Sequence, residues 1–94
     1  MAHVSQETLE ERLSEAATLV TVGARYVHYK DSTHTYTVLG FGIREEDETV
    51  AVIYRAEYEK RLTFIRPLLS WIQSVSVKGG DIPRFRLVTD TEYN

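Results

Sequence analysis

The chain has 94 residues, of which 43% are hydrophobic and 27% charged, and it carries a formal net charge of −3 with no cysteine. That length sets one domain with a single, modest core. The acidic balance argues against nucleic acid as the expected partner, and the missing thiols exclude disulfide staples and thiolate metal sites and fit a reducing compartment. No apolar run approaches the ~18 residues of a membrane span. Glu7, Glu10, Glu11 and Glu15 are foreign to a secretory leader. The expected location is cytoplasmic, with no membrane contact.

Residues 5–20 predict an amphipathic helix. Leu9, Leu13, Ala16, Ala17 and Val20 recur on one face, Ser5 is the N-cap, and Val4 and Leu9 stand at hydrophobic-staple positions. After Gly23 the period changes to two. Residues 24–30 place Tyr26, His28 and Lys30 on one strand face and Val27 and Tyr29 on the other. A polar turn is expected at 31–33, with His34 still in it. A second strand over 35–43 sets Tyr36 and Val38 opposite Leu39, Phe41 and Ile43, with Gly40 and Gly42 marking a bend or a close approach. The acidic run 45–48 reads as a solvated hairpin tip. It leads into a β-branched strand over 49–55 with Val50, Val52 and Tyr54 on one face.

Residues 56–61 form a polar loop. The next strand, 62–66, ends at Pro67, which suits the first turn of a short helix through Trp71. A short strand over 72–77, a tight turn at 78–81 and a last strand over 82–88 follow. The domain plan is an N-terminal helix (1–22) docked on a β domain (23–88), then a frayed tail (89–94). Five or six short strands with one terminal helix make a mainly β fold, a small curled sheet or barrel. Strand periodicity leaves an SH3-like roll and an OB-like barrel both open.

Four patches mix an aromatic with a cation inside an apolar run: Tyr26-Val27-His28-Tyr29-Lys30, Val52-Ile53-Tyr54-Arg55, Ile65-Arg66-Pro67 and Pro83-Arg84-Phe85. In this order the chain resembles the domain of unknown function 1653 family, a small and mostly bacterial group. The resemblance covers residues 23–85 and implies the SH3-like barrel. It implies no biochemistry. The chain departs from the family pattern at Asp31, where glycine is usual, at Gly42, near a common alanine, and at Phe64 and Trp71. The last two look like an aromatic volume exchange between neighbouring positions.

The candidate site comprises His28, Lys30, Tyr54, Arg66, Arg84 and Phe85. His28 supplies a hydrogen-bonding or cationic group, and two guanidiniums beside Tyr54 and Phe85 suit an anion clamp with an aromatic wall. Each has a structural counterpart. A histidine packs against tyrosine in many cores, and an arginine can fasten loop carbonyls or pair with Glu48 or Glu57. The aromatics alternate faces in this reading, which weakens base stacking. Histidines without Cys or a helical i,i+4 pair do not make a zinc site, the acidic run lacks the spacing of a calcium loop, and Gly79-Gly80 is no phosphate loop. No nucleophile motif surrounds any serine or threonine. No cofactor, metal or catalytic residue is therefore expected. The favoured function is a non-enzymatic binding module for a small anionic or nucleotide-like ligand or a peptide, in a monomer or weak homodimer. The alternatives are a protein–protein module using a strand edge or the helix, and a small enzyme whose site the sequence does not spell out.

Overall fold

The computed structural model describes residues 4–89. It starts with α1 (Gln6–Leu19), where the Ser5 side chain accepts the Thr8 N–H at 3.1 Å. That satisfies one of the helix's orphan donors. β1 (Arg25–His28) and β2 (Asp31–Ile43) form a hairpin. β3 (Val50–Ala56) and β4 (Thr63–Pro67) follow, then the short α2 (Leu68–Ile72), a second hairpin of β5 (Ser74–Val77) and β6 (Gly80–Pro83), and β7 (Phe85–Leu87). The main sheet runs β4-β3-β2-β1-β7, and β5 and β6 form a separate two-stranded ribbon. The expected mainly β fold with an N-terminal helix is present, with seven strands among the described residues. The tail residues 90–94 and His3 lie outside the described range.

The local pattern fails at three places, each for a physical reason. First, the strand expected over 24–30 stops at His28, which pairs with Asp31. Tyr29 and Lys30 make the turn, and residues 31–34, expected as a turn, begin β2 instead. Second, register along β2 and β3 slips between Val38 and Gly40, leaving Leu39 unpaired as a bulge. One extra residue inverts the alternation. Phe41 and Ile43 therefore share the face of Tyr36 and Val38 instead of opposing it, since Phe41 faces Val52 and Ile43 faces Val50 across the ladder. Leu39 turns outward and is exposed. Third, the expected strand over 82–88 is two strands divided at Arg84. The Arg84 N–H donates to the Gln73 carbonyl, and its own carbonyl accepts the Tyr29 N–H. The chain changes partners there, from β5 to β1.

The tight turn holds as expected. Val77 pairs with Gly80, and Lys78 and Gly79 both take positive φ, 45° and 84°. This is the twist-compatible geometry of a two-residue hairpin.

Val20, Tyr26, Val38, Val52, Tyr54, Trp71 and Phe85 form the core on one face of the main sheet. The sheet is curled over this core. Arg66 on edge strand β4 lies with its guanidinium carbon 5.2 Å from the centre of the Phe85 ring on the other edge strand, β7. The two edges approach but are not hydrogen-bonded neighbours, so the roll is not a closed barrel. Trp71 of α2 fills the gap between them. Its ring stacks on Phe85 at 3.7 Å with an interplanar angle of 2°, and meets Tyr54 and Tyr26 edge-on at 4.8 and 5.3 Å. Trp71 is buried, as the aromatic exchange suggested. It is not Phe64's ring partner, though. Phe64 packs on Tyr54 at 5.8 Å and is largely exposed, so Tyr54 stands between the two exchanged aromatics.

Helix α1 closes the open end of the core through Ala16 and Val20, and Arg12 donates to the Glu48 carbonyl at 2.9 Å. Leu9 and Leu13 are only half-buried and Ala17 is exposed. Leu13→Ala should therefore cost about 1–2 kcal/mol, below the ~2–5 kcal/mol of a fully buried leucine. Urea melts at two protein concentrations should give the same loss. A concentration-dependent effect would place this face in a dimer interface instead.

Candidate functional site

The gap between the β4 and β7 edges gathers the aromatic–cation patches. His28 and Phe85 are direct partners across β1 and β7, so they share the inner face, and their rings meet edge-to-face at 5.1 Å. Arg66 is opposite Val52 and thus projects from the same face of β4. Its Nη1 donates to the Ser70 hydroxyl at 3.0 Å, and its Nε reaches the Tyr54 hydroxyl at 3.5 Å. Arg84 enters from the strand switch before β7, where its Nη2 donates to the Gln73 side-chain carbonyl at 3.1 Å. Among the described residues neither arginine has a carboxylate partner, and the buried Nε of Arg84 has no hydrogen-bond acceptor. The pairings expected for a structural role do not form. Glu57 is taken by Arg55 and Arg61.

Lys30 sits in the hairpin turn and not on the strand, with its ammonium 5.9 Å from the centre of the Tyr29 ring. Its backbone N–H donates to Nδ1 of His28 at 3.2 Å. Partial burial, followed by the charges of Arg66, Arg84 and Lys30, pushes the His28 pKa below its ordinary value. These influences favour the neutral imidazole.

His28 and Arg66 both meet Phe85, and Arg66 reaches the Tyr54 hydroxyl, whereas the Arg84 guanidinium turns to Gln73 and the Lys30 ammonium lies over Tyr29. Tyr54 and Phe85 are both buried. One face of Phe85 carries the Trp71 indole and Arg66 lies over the ring, so Phe85 serves as a floor and offers no free stacking face. The sequence-based expectation that the aromatics alternate faces is corrected by the register. Tyr26, Tyr36, Tyr54 and Phe64 face one another across paired strands. A groove of about 250 Å³ adjoins His28, between the first hairpin and Ile82, Pro83 and Arg86.

Sequence reasoning missed Ser70 and Gln73. Ser70 lies four residues after Arg66, a spacing that the short helix turns into a contact. Gln73 had no signal, since its role depends on the strand switch at Arg84. It also missed a neighbouring polar group. His34, part of β2, pairs through Nδ1 with Asp31 at 2.6 Å and packs on Tyr58 at 4.1 Å. The Tyr58 hydroxyl lies 2.8 Å from that of Tyr36. Burial, then this hydroxyl contact, raises the Tyr36 pKa. Hydrogen bonds from Thr33, then from His34, hold the Asp31 carboxyl down to about 2. No cluster of three His, Cys, Asp or Glu that could hold a metal occurs among the described residues, and none of their helices is long and apolar enough to cross a membrane.

Comparison with known proteins agrees with the aromatic–cation pattern. Residues 24–87 match the family described as "Protein of unknown function (DUF1653)". No curated protein matches. Among solved structures, the crystal structure of a DUF1653 protein from Bordetella bronchiseptica is similar at 31% identity, with a TM-score of 0.60, over 70% of this chain and 85% of that one. Helix α1 and its N-cap precede the matched segment, whereas all six candidate site residues fall inside it. On that match, which spans the whole sheet and both edges of its gap, this chain belongs to the DUF1653 family.

Proposed function

We propose that the chain is a non-enzymatic binding module that takes a small anionic group beside Arg66 and Arg84, on the surface over the Trp71-filled gap between β4 and β7. One observation carries this reading. Two half-buried arginines, Arg66 and Arg84, come from the two sheet edges near Phe85, Arg66 and His28 both meet that ring, and no described carboxylate neutralises either arginine. Like charges gathered without a counter-ion raise the energy of the free protein, and an oxyanion relieves that cost while forming charge-assisted hydrogen bonds. The partners that the arginines do hold are hydroxyls and an amide, which water can satisfy once an arginine is removed.

Arg66→Met and Arg84→Met should each change stability by less than about 1 kcal/mol in thermal melts, since the groups left behind are neutral ones that water can satisfy, the methionine stem keeps the packing, and repulsion is relieved. Wild type should gain about 1.4 kcal/mol when an anion stands at ten times its dissociation constant. Both variants should lose that gain. A panel of inorganic phosphate, acetate and a nucleotide measures this. A steep fall in melting temperature for both variants, with no anion-induced gain in wild type, would assign the arginines to the fold.

A second reading rests on edge strand β4. Ile65 is 69% exposed on it, Leu62 beside it 59%, and Leu69 of α2 76%. An apolar edge of this kind suits strand addition by a partner chain. Crosslinking after Ile65→Lys tests it, since that change blocks an edge contact and leaves the arginine cluster alone.

A further inference from the structure

Strand β4 ends the main sheet on one side, and its open edge has a definite phase. The Ala56 N–H donates to the Leu62 carbonyl at 2.9 Å, and this pair continues the register of Tyr54 with Phe64 and of Val52 with Arg66. Bonded pairs recur at every second residue of an antiparallel ladder. Phe64 and Arg66 therefore turn their backbone groups toward β3, and Thr63 and Ile65 turn theirs outward. Among the described residues, no other segment gives Thr63 or Ile65 a backbone hydrogen bond. The edge is bounded at both ends. Arg61 before it has a φ of 54°, and Pro67 after it has no N–H and caps α2 with its carbonyl. Open edges are usually blunted by charged side chains. Here the exposed side chains are apolar: Ile65 is 69% exposed, Leu62 59% and Phe64 40%.

We propose that the occupant of this edge is a second copy of the chain, paired antiparallel through residues 63–65 about a two-fold axis at Phe64. This rests on the edge-strand reading above and names its partner. The register follows from the phase. With Phe64 opposite its own copy, each Thr63 stands opposite an Ile65, and the outward N–H and C=O of both residues are all bonded. Centring on Ile65 would bond only the Ile65 pair, since Thr63 would then face Pro67. Centring on Arg66 would set guanidinium against guanidinium. In the favoured register Arg66 faces Leu62, and the charged residues Glu59, Lys60 and Arg61 lie beside α2 of the second copy, which carries no charged residue. No like charges are opposed. Phe64 then takes the non-bonded position of the ladder, where side chains approach most closely and an aromatic pair is favourable. That contact covers the ring that packing on Tyr54 leaves largely exposed. The same surface is used by both copies, so the assembly closes at a dimer. So short a ladder falls well below the ~800 Å² per partner of a standard interface, and the pairing is therefore weak and concentration-dependent.

The test combines sedimentation equilibrium with amide hydrogen exchange of the whole chain, from about 10 µM to about 1 mM. In dilute solution the Thr63 and Ile65 amides should exchange much faster than those of Phe64 and Arg66, which are bonded to β3. As the mass rises toward a dimer, protection of Thr63 and Ile65 should rise with it, several-fold. The chain has no cysteine, so single-cysteine variants report the register. Phe64→Cys should oxidise readily to a covalent dimer, because Cα atoms of a non-bonded pair lie ~4.5 Å apart. Ile65→Cys, diagonal to its copy at ~7–8 Å, should crosslink far less. Phe64→Lys, which opposes two ammonium groups, should remain a monomer throughout. A monomer at the highest concentration, with Thr63 and Ile65 still exchanging freely, would overturn self-pairing while leaving the edge open to another strand. A dimer that persists in Phe64→Lys, or that crosslinks better through Ile65→Cys, would overturn it as well. Protection of Thr63 and Ile65 already in the dilute monomer would show that the chain covers its own edge, which removes the strand-addition reading and this inference with it.

Discussion

Trp71→Ala should destabilise the domain by about 3–5 kcal/mol, the range for deleting a buried aromatic. Trp71 is 2% exposed and joins three parts of the fold. It stacks on Phe85 of β7, meets Tyr54 of β3 edge-on and touches Tyr26 of β1. Because β4 and β7 do not pair, this ring takes the place of a hydrogen-bonded ladder in holding the two sheet edges together. A small domain has only ~5–15 kcal/mol of total stability, so the variant should be close to unfolding at 37 °C. Urea melts followed by far-ultraviolet circular dichroism measure the loss, since the substitution removes the chain's one tryptophan. Trp71→Phe should cost far less, about 1–2 kcal/mol, because a ring remains against Phe85. Native wild-type fluorescence should be blue-shifted. A loss below about 1 kcal/mol for the alanine variant would show that the sheet edges are held some other way.

The next largest effect belongs to Glu57, just after β3. Its carboxylate accepts from Thr37, from Arg55 at 2.9 Å and from Arg61 at 2.5 and 3.0 Å, and the side chain is only 8% exposed. Hydrogen bonds from Thr37, then Arg55, with a smaller contribution from Arg61, hold its pKa down to about 2, against an ordinary 4.5. The folded state thus binds its proton less readily than the unfolded chain does. The resulting stabilisation is complete above about pH 4.5 and is lost as pH falls toward 2. Glu57→Gln should cost about 1–3 kcal/mol at pH 7, since it strands Arg55, whose buried Nε already lacks a partner. By pH 3 most of the gap between variant and wild type should have closed. Asp31 and Asp47 also have lowered pKa values, so the difference between the two proteins, and not the wild-type acid curve alone, is the quantity to measure. A gap that stays constant from pH 7 to pH 3 would mean that the carboxylate charge contributes nothing.

The glutamate matters for the candidate site as well. It binds Arg55 and Arg61 and so leaves Arg66 and Arg84 to the gap. The sequence left Arg66 and Arg84 open to pairing with Glu57 or Glu48, and the fold gives Glu57 to Arg55 and Arg61 instead. Arg55 and Glu57 lie at the end of β3 beside the 57–62 loop, whereas Arg66 faces inward opposite Val52.

What the residues determine alone is local. Ser5 caps the first helix, Pro67 begins the second, Lys78-Gly79 turns the ribbon, and β-branched and aromatic runs make strands of roughly the expected lengths. Each depends on neighbours within a few positions, where periodicity and turn chemistry act. The aromatic–cation patches also marked the candidate residues, though not how they meet. Three features waited on the tertiary structure. The bulge at Leu39 reverses which residues of β2 face the core, and it arises only when β2 is matched against β3. The curl of the sheet sets Arg66 of one edge over Phe85 of the other, across nineteen positions of sequence. The change of partner at Arg84 splits a strand and supplies Gln73 as its neighbour. Alternation along a strand says that two faces exist, but long-range pairing and curvature choose which face is inside and which edges meet, because those depend on contacts between segments far apart in the chain.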